Sequence, residues 1–553
     1  MAPRTALSVL AAMILVASGR AALLKRPEQD CINPSIGRIN EFNFYPSEYR
    51  SVISDPAPVA PGATIVDATD FDIKYYETYK VISAKRFGKS YVLYQCGTPD
   101  PTALPAGAAE GVAPGMASFE IPLYSVAVTD TTANGFLSEL GLLDRVARAS
   151  PYSVEDCFAR LAGSDGGCEL ATPNSYFDAS DAAAAAAFRD ANASMYAGAD
   201  AVFVGFAGDA SKDVLFSATA DPGPLNRAEW VKFMAAFFNK EVDANDLFAK
   251  IKANYNAVKA RVAAGQTAGS KPKVAWVSTN SSGVSFRLDP YKVTLMQDAG
   301  GAPFTRAELE AAGAVLSVDA LYGTRAAFLP RGAAGLRTLL AQADVIVDET
   351  FYASTPAPAN VSASLGFATP AAAAAAVPAI ADERVFRRAR ARGARWDGHQ
   401  SQSGSNGWFE MAVARPDWVL MDLARAIAPS TLAGANGALA TKGPADTDFN
   451  FLLQVGADGP LGAPRLSAPA SCASLPSCVS RAPAAICPNV FRDCATGALR
   501  QADASERCAS WSVCVPVSLG GDAPRSAAAR PAAAGAAAAA LLGGAAAALL
   551  ALA

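Results

Sequence analysis

The chain has 553 residues but a single histidine, His399. A serine or cysteine nucleophile activated by an imidazole would have to use that one residue, and no Gly-x-Ser-x-Gly motif precedes it. The sequence also lacks a Gly-x-x-x-x-Gly-Lys-Ser/Thr phosphate loop and any Cys-x-x-Cys zinc pair. Few enzyme templates remain. Hydrolysis by two carboxylates stays open because Asp and Glu are plentiful, but no pair indicates it.

The chain also lacks a strong net charge, since 47 Lys and Arg residues oppose 51 Asp and Glu residues. Such a balance creates no overall field that would attract nucleic acid, so no nucleic-acid partner is predicted. Hydrophobic residues make up 51% of the chain, a figure that alanine runs inflate. The length predicts roughly two to four domains.

Both ends have the composition of targeting segments. Residues 1–23 carry one basic residue near the start, Arg4, and then an apolar run followed by small residues. The apolar run is shorter than a membrane span, which needs about 20 residues. This order predicts a secretory signal peptide, with an anchor helix as the alternative. Residues 517–553 run from small residues through a short polar stretch to an apolar end. That pattern predicts a glycolipid-anchor signal, with a single membrane-spanning helix as the alternative, and hence a secreted protein anchored on the extracellular face of a eukaryotic plasma membrane.

The ten cysteines agree with secretion, because an even number in a secreted chain predicts disulfides. Cys157 and Cys168 flank a short Gly-rich turn and could close a local loop. Six cysteines lie within residues 471–516, which predicts a small disulfide-rich module whose pairing the sequence leaves open. They are Cys472, Cys478, Cys487, Cys494, Cys508 and Cys514. Three Asn-x-Ser triplets, at Asn192, Asn280 and Asn360, are expected glycan sites of low specificity.

Strand and helix patterns alternate between residues 70 and 432, which is typical of parallel sheets with covered faces. The fold class expected is α/β, with two Rossmann-like lobes joined by a long connecting helix. Apolar residues at helical spacing, such as Trp230, Phe233 and Phe237, mark that helix, which could be one helix or two with a kink. The predicted boundaries are 70–225 for the first lobe, 226–262 for the connecting helix, 271–432 for the second lobe and 433–470 for a linker.

Four segments in this order resemble the class III periplasmic solute-binding family, the receptors of bacterial uptake systems for iron–siderophores, cobalamin and haem. They are YSVAVTDTTANGFLSELGLLDRVARAS, PLNRAEWVKFMAAFFNKEVDANDLFAKI, LMQDAGG and NGWFEMAVARPDWVLMDLARAIAP. The resemblance covers roughly residues 71–432 and is greatest to the iron–siderophore branch. It implies a protein that is not an enzyme. Such a protein would hold a small solute, a ferric siderophore or similar iron chelate, between its lobes for uptake, with no intrinsic cofactor.

The resemblance also implies a partner, either a membrane transporter or an endocytic receptor. In bacterial members a glutamate on the first helix of each lobe docks to the permease. The matching position of the first lobe is Gly135 here, and Glu139 lies one turn later. Docking to a bacterial-type permease is therefore in doubt.

Ligands of open α/β sheets bind beyond the carboxyl ends of the strands, and this rule selects most of the candidate ligand-binding residues. Arg227 and Trp230 are candidates because they open the connecting helix, and Tyr291 because it lies near the first crossover of the second lobe. Arginine can pair with carboxylate or catecholate oxygens, and aromatic rings can stack on a flat ligand. The candidates are Thr131, Thr132, Arg227, Trp230, Arg287, Tyr291, Tyr352, Trp396, His399 and Trp408.

Simpler interpretations stand beside several candidates. Trp230 fits a core position at helical spacing, and His399 fits a solvated loop. With Asp397, Glu410 and a tyrosine, His399 could also complete a metal site, or it could be an axial ligand to haem iron. The arginine run from 387 to 395 fits either a solvated face or an attractant for anions. The competing function is a surface interaction scaffold without a small ligand, which would fill its cleft.

Overall fold

The computed structural model describes Cys31 and fourteen further ranges of the chain, which are 62–76, 78–148, 198–205, 211–266, 271–319, 323–350, 357–388, 391–393, 405–432, 449–456, 459–461, 465–466, 490–492 and 499–501. The predicted signal peptide and anchor tail lie outside these ranges, as do the eight cysteines of the expected disulfides. Within the described ranges, no helix combines the length and the hydropathy that a membrane crossing requires.

The chain begins with a four-stranded sheet in the order β1-β2-β3-β4, in which only β3 and β4 run parallel. Alternation in β1 buries Phe71, Ile73 and Tyr75 and turns the two residues between them outward. A disulfide joins Cys31 to Cys96, which directly follows β3, a pair that the sequence analysis does not predict. The strands are β1 (Phe71–Tyr75), β2 (Tyr79–Ala84), β3 (Lys89–Gln95) and β4 (Ala117–Ile121).

A second, fully parallel sheet follows in the order β6-β5-β7-β8. Its strands are β5 (Val126–Val128), β6 (Val146–Arg148), β7 (Ala201–Val204) and β8 (Asp213–Leu215). Helix α1 (Thr131–Glu139) starts at the carboxyl end of β5, where the Asp130 side chain caps it by accepting the backbone N–H of Thr132.

The predicted connecting helix over 226–262 is corrected, because three helices occupy this region. They are α2 (Pro224–Ala228), α3 (Trp230–Ala236) and α4 (Glu241–Gly265). Asn239, between α3 and α4, has a φ of 54°. A left-handed residue cannot continue an α-helix, so the helical run is interrupted there.

Helix α4 contributes to two hydrophobic cores. Phe248 and Ile251 in its first half pack into the core formed by the first two sheets. Tyr255, Val258 and Val262 in its second half pack into a core formed with the later part of the chain. Residues of one helix therefore pack into both cores.

The strands after α4 are β9 (Lys273–Thr279), β10 (Val284–Arg287), β11 (Ala302–Pro303), β12 (Val315–Asp319), β13 (Gly323–Phe328), β14 (Val345–Asp348), β15 (Val385–Arg387), β16 (Ala391–Gly393), β17 (Ser405–Asn406), β18 (Leu453–Gly456), β19 (Gly459–Leu461), β20 (Arg465–Leu466), β21 (Val490–Arg492) and β22 (Leu499–Gln501). Nine of them form one sheet in the order β12-β13-β10-β9-β14-β15-β18-β19, with β11 beside β9. Its centre, β9-β14-β15, is parallel. The chain is thus mixed α/β, with parallel and antiparallel sheets.

The helices of this region cover both faces of the nine-stranded sheet. They are α5 (Pro290–Asp298), α6 (Arg306–Ala311), α7 (Ala334–Leu340), α8 (Pro358–Ser364), α9 (Pro370–Ala376), α10 (Pro378–Ala381), α11 (Gly407–Met411), α12 (Pro416–Ile427) and α13 (Pro429–Leu432).

The linker predicted over 433–470 is corrected in part, because β18 and β19 belong to the nine-stranded sheet. The Asp422 carboxylate in α12 accepts the backbone N–H groups of Phe451 and Leu452 at 2.7 and 3.1 Å. Both of those residues are buried. The second core therefore includes residues that follow the predicted boundary at 432.

Candidate functional site

Three of the predicted residues, Arg227, Arg287 and Tyr291, lie together where α2 meets the start of α5. The guanidinium carbon of Arg227 lies 3.9 Å from the centroid of the Tyr291 ring, a cation–π contact. Arg287 is close enough that its charge opposes that of Arg227. We call this group the Arg227–Tyr291 site.

Arg227 holds its side chain by one hydrogen bond, from Nε to the backbone oxygen of Asp221 at 2.7 Å. Its two terminal nitrogens donate no hydrogen bond to any residue in the described ranges. Burial lowers the pKa of Arg227, and this effect exceeds the opposing ones of Tyr291 and of the nearby carboxylates of Asp289 and Asp221. A guanidinium remains charged even so, which leaves two charged donors available to a ligand.

The hydroxyl of Tyr291 is buried and lacks a hydrogen-bond partner among the described residues. Burial raises the pKa of Tyr291 to about 12, so the side chain is a neutral phenol near pH 7. A buried donor without an acceptor costs about 1–3 kcal/mol. A ligand oxygen placed between this hydroxyl and Arg227 would remove that cost.

Beside this site, buried cations surround the carboxylate of Glu349, which follows the end of β14. Arg287 Nε lies 2.8 Å from Oε1 and Lys292 Nζ lies 3.0 Å from Oε2. The indole nitrogen of Trp276 donates to the same Oε2 at 3.0 Å. Burial alone would raise the pKa of Glu349, but the charges of Arg287, Lys292 and Arg388 hold it well below its usual range. Glu349 is therefore an internal anion.

Aromatic rings contact two members of this cluster, Trp276 and Arg388. Trp408 lies with its ring centroid 5.9 Å from that of Trp276, and the Arg388 guanidinium carbon is 4.4 Å from the ring centroid of Phe409. Trp408 was a predicted site residue, whereas Trp276 and Lys292 were not. Trp276 lies within the apolar run of β9 and Lys292 inside α5. Neither position follows a strand end, the signal on which the prediction depended.

The other described candidates lie elsewhere. Trp230 has no exposed surface, and its indole nitrogen donates to Asp221 at 3.0 Å within the first core. Thr132 is buried and its hydroxyl donates to the backbone oxygen of Phe409 at 3.2 Å. Thr131 is partly exposed at the first turn of α1. Tyr352, Trp396 and His399 lie outside the described residues.

The position expected to hold a docking glutamate is a helix–helix contact. A Cβ atom on Gly135 would lie 2.1 Å from the backbone oxygen of Glu410 in α11. Next to it, Asn134 Nδ2 donates to the Glu410 carboxylate at 3.0 Å. Glu139 pairs with Arg415 at 3.3 Å. Only glycine allows this close approach of the two backbones.

A groove of about 580 Å³ lies elsewhere, on the outer face of the first sheet. It shares no lining residue with the Arg227–Tyr291 site, and its rim carries both signs of charge, from Asp72, Lys74, Lys89 and Asp213. None of its lining residues has a buried polar atom that lacks a partner. The Arg227–Tyr291 site, which has such an atom in Tyr291, is therefore the stronger candidate for ligand binding.

Several solved structures of bacterial binding proteins are similar to this chain. A periplasmic haem-binding protein of Pseudomonas aeruginosa has 12% identity and a TM-score of 0.34, over 56% of this chain and 94% of that chain. A Helicobacter pylori protein with bound Ni(II) has 12% identity and a TM-score of 0.36, over 57% and 87%. A petrobactin-binding protein of Bacillus subtilis has 13% identity and a TM-score of 0.33, over 57% and 94%. No family model and no curated protein matches the chain.

Proposed function

We propose that this chain binds a small anionic solute, a ferric siderophore or similar iron chelate, at the Arg227–Tyr291 site, as an extracellular receptor for uptake. The observation that carries the proposal is that two groups able to donate to a ligand lie side by side. Arg227 keeps two charged donors free of partners among the described residues, and Tyr291 beside it has a buried hydroxyl without an acceptor.

The proposed contact is with ligand oxygen and not with bare metal. A tyrosine binds ferric iron as phenolate, and burial, which raises the pKa of Tyr291 to about 12, makes loss of that proton more costly. A neutral phenol donates a hydrogen bond, and a guanidinium provides a charge-assisted donor pair. Both suit a carboxylate or catecholate oxygen that the iron already polarises.

The scaffold interpretation is favoured by one observation. Arg287, Lys292 and Arg388 already have an internal counter-charge in Glu349, as expected of a cleft that is filled by its own residues. Under this alternative, the donor groups of Arg227 and Tyr291 contact no ligand. Neither the wild-type chain nor a variant at these residues would then bind a chelate.

The test is titration of the purified full-length chain with a ferric tris-catecholate chelate, followed by tryptophan fluorescence. Arg227→Met and Tyr291→Phe should each weaken binding by about tenfold or more, because each removes a hydrogen bond that involves a charged group, worth about 1.5–3 kcal/mol. Tyr79→Phe is the matched control, since Tyr79 bonds to the backbone of Glu110 in the first sheet. If the wild-type chain binds neither this chelate nor ferric citrate, the scaffold function replaces the proposed one.

A further inference from the structure

Arg148, the last residue of β6, is a buried arginine without a carboxylate partner among the described residues. Only 7% of its surface is exposed. Its Nη1 donates to the backbone oxygen of its neighbour Ala147 at 2.7 Å, and its Nε has no partner in the described part of the chain. Burial lowers the pKa of Arg148, and no acid in the described ranges opposes that effect. Buried charges are normally paired, so this arrangement is costly in the absence of a ligand.

Arg148 lies on the edge of the second sheet where ligands of α/β folds bind. All four strands of that sheet are parallel, so Arg148 shares the carboxyl edge with the turn before α1 and with the end of β8. Two residues beyond β8, Ser217 has a buried hydroxyl that also lacks a partner among the described residues. Two unsatisfied groups therefore lie at opposite ends of one sheet edge.

The strand order gives the distance between these ends. Three inter-strand intervals separate β6 from β8, and each is about 4.8 Å, so the edge is about 14 Å wide. Arg227 belongs to the β8 end, because it bonds to Asp221, four residues after Ser217. Arg148 is held at its own end by its hydrogen bond to the Ala147 backbone, and Arg227 is held at the other by its bond to the Asp221 backbone. A chelate of several anionic arms therefore suits the two arginines better than a compact anion does.

We infer that Arg148 is a second anion-binding group, on the far side of the sheet edge from Arg227, and that the ligand carries negative charge on two sides. This inference rests on the proposed function for the identity of the ligand. It assigns a residue that the sequence analysis does not select, and it restricts the ligand to a chelate wide enough to extend across the edge.

The test compares Arg148→Met and Arg148→Lys with Arg86→Met, an exposed arginine paired to Asp70 at 2.7 Å, in the purified full-length chain. Without ligand, Arg148→Met should melt at the wild-type temperature or above it, because it removes an uncompensated charge. Its affinity for the ferric tris-catecholate chelate should fall by about tenfold or more, with Arg148→Lys in between, while its affinity for the smaller ferric citrate should change less. A fall in melting temperature well beyond that of Arg86→Met would reveal a structural ion pair and overturn the inference, as would unchanged affinity for the wide chelate.

A separate measurement distinguishes failure of this inference from failure of the proposed function. If the wild-type chain binds neither chelate, inorganic phosphate becomes the probe. A rise in melting temperature with phosphate that Arg148→Met lacks would support an anion site at Arg148 without a chelate function. The same rise in both proteins, or none in either, would overturn it.

Discussion

Glu349→Gln should destabilise the protein strongly, because it removes the charge of a buried anion between two cations. The glutamine keeps the size of the side chain and can still accept the hydrogen bond from Trp276. It removes the negative charge that lies 2.8 Å from Arg287 and 3.0 Å from Lys292. The carboxylate of Asp289 remains, but it lies 3.8 and 3.5 Å from the same two cations. The cluster is left with buried, under-compensated positive charge.

Removal of one partner of a buried ion pair costs about 3–5 kcal/mol, and Glu349→Gln should fall in this range. The assay is urea unfolding of the full-length chain, with the midpoint of the tryptophan-fluorescence transition as the readout. The control is Glu310→Gln, whose pair with Arg306 is exposed on both sides and should cost about 0–1 kcal/mol.

The cost should also depend on pH, because the pKa of Glu349 lies below its ordinary value of 4.5. A lowered pKa in the folded state stabilises the protein above the unfolded value, and that stabilisation is lost as the pH falls towards the folded pKa. The difference between wild type and Glu349→Gln should therefore be full at pH 7 and should shrink below about pH 4.5. A cost near that of the control at pH 7 would refute the assignment of Glu349 as the internal anion.

Two further predictions concern packing. Gly135→Ala places a methyl group 2.1 Å from the backbone oxygen of Glu410 and should lower the free energy of unfolding in urea by about 1–3 kcal/mol. Ser138→Ala on the same helix is the control and should cost much less. Equal effects would mean that α1 and α11 separate freely. Asp422→Asn should lose at least one of the hydrogen bonds that hold the backbone of 450–452, at about 1–3 kcal/mol, and should speed hydrogen exchange in 451–456. Unchanged exchange there would show that β18 is held by its sheet partners alone.

The sequence predicts the fold class better than it predicts where helices break or which distant segments pair. The alternation of strands and helices correctly indicates mixed α/β structure, because hydrophobic periodicity is a local signal. The break at Asn239 is not readable in the same way, since asparagine occurs in many helices and its left-handed φ of 54° depends on tertiary packing. The contribution of β18 to the sheet is equally non-local, because Asp422 lies almost thirty residues before the backbone that it holds.

The same division applies to the candidate site. The rule that ligands bind beyond strand ends selected Arg287, whereas Arg227 was chosen for its place at the start of the connecting helix and Tyr291 for its place near a crossover. The structure brings the three together, but their roles in binding remain predictions. The rule could not select Lys292, inside a helix, or separate Arg148 from an ordinary surface arginine. What marks Arg148 is burial without a carboxylate partner among the described residues, and only the folded chain shows that. Trp230 was chosen together with Arg227, and its complete burial places it in the core.

The packing at Gly135 bears on the partner that the proposed function requires. The family that the sequence resembles uses a glutamate at this position to dock to its permease, so glycine there could be understood as a simple loss. The structure gives a physical reason instead, because the backbone of Glu410 occupies the space that any side chain would need. Neighbouring contacts from Asn134 and Glu139 fasten α1 to the segment that includes α11 and Arg415. Under the proposed function, the partner that receives the solute would therefore contact a surface other than position 135 of α1.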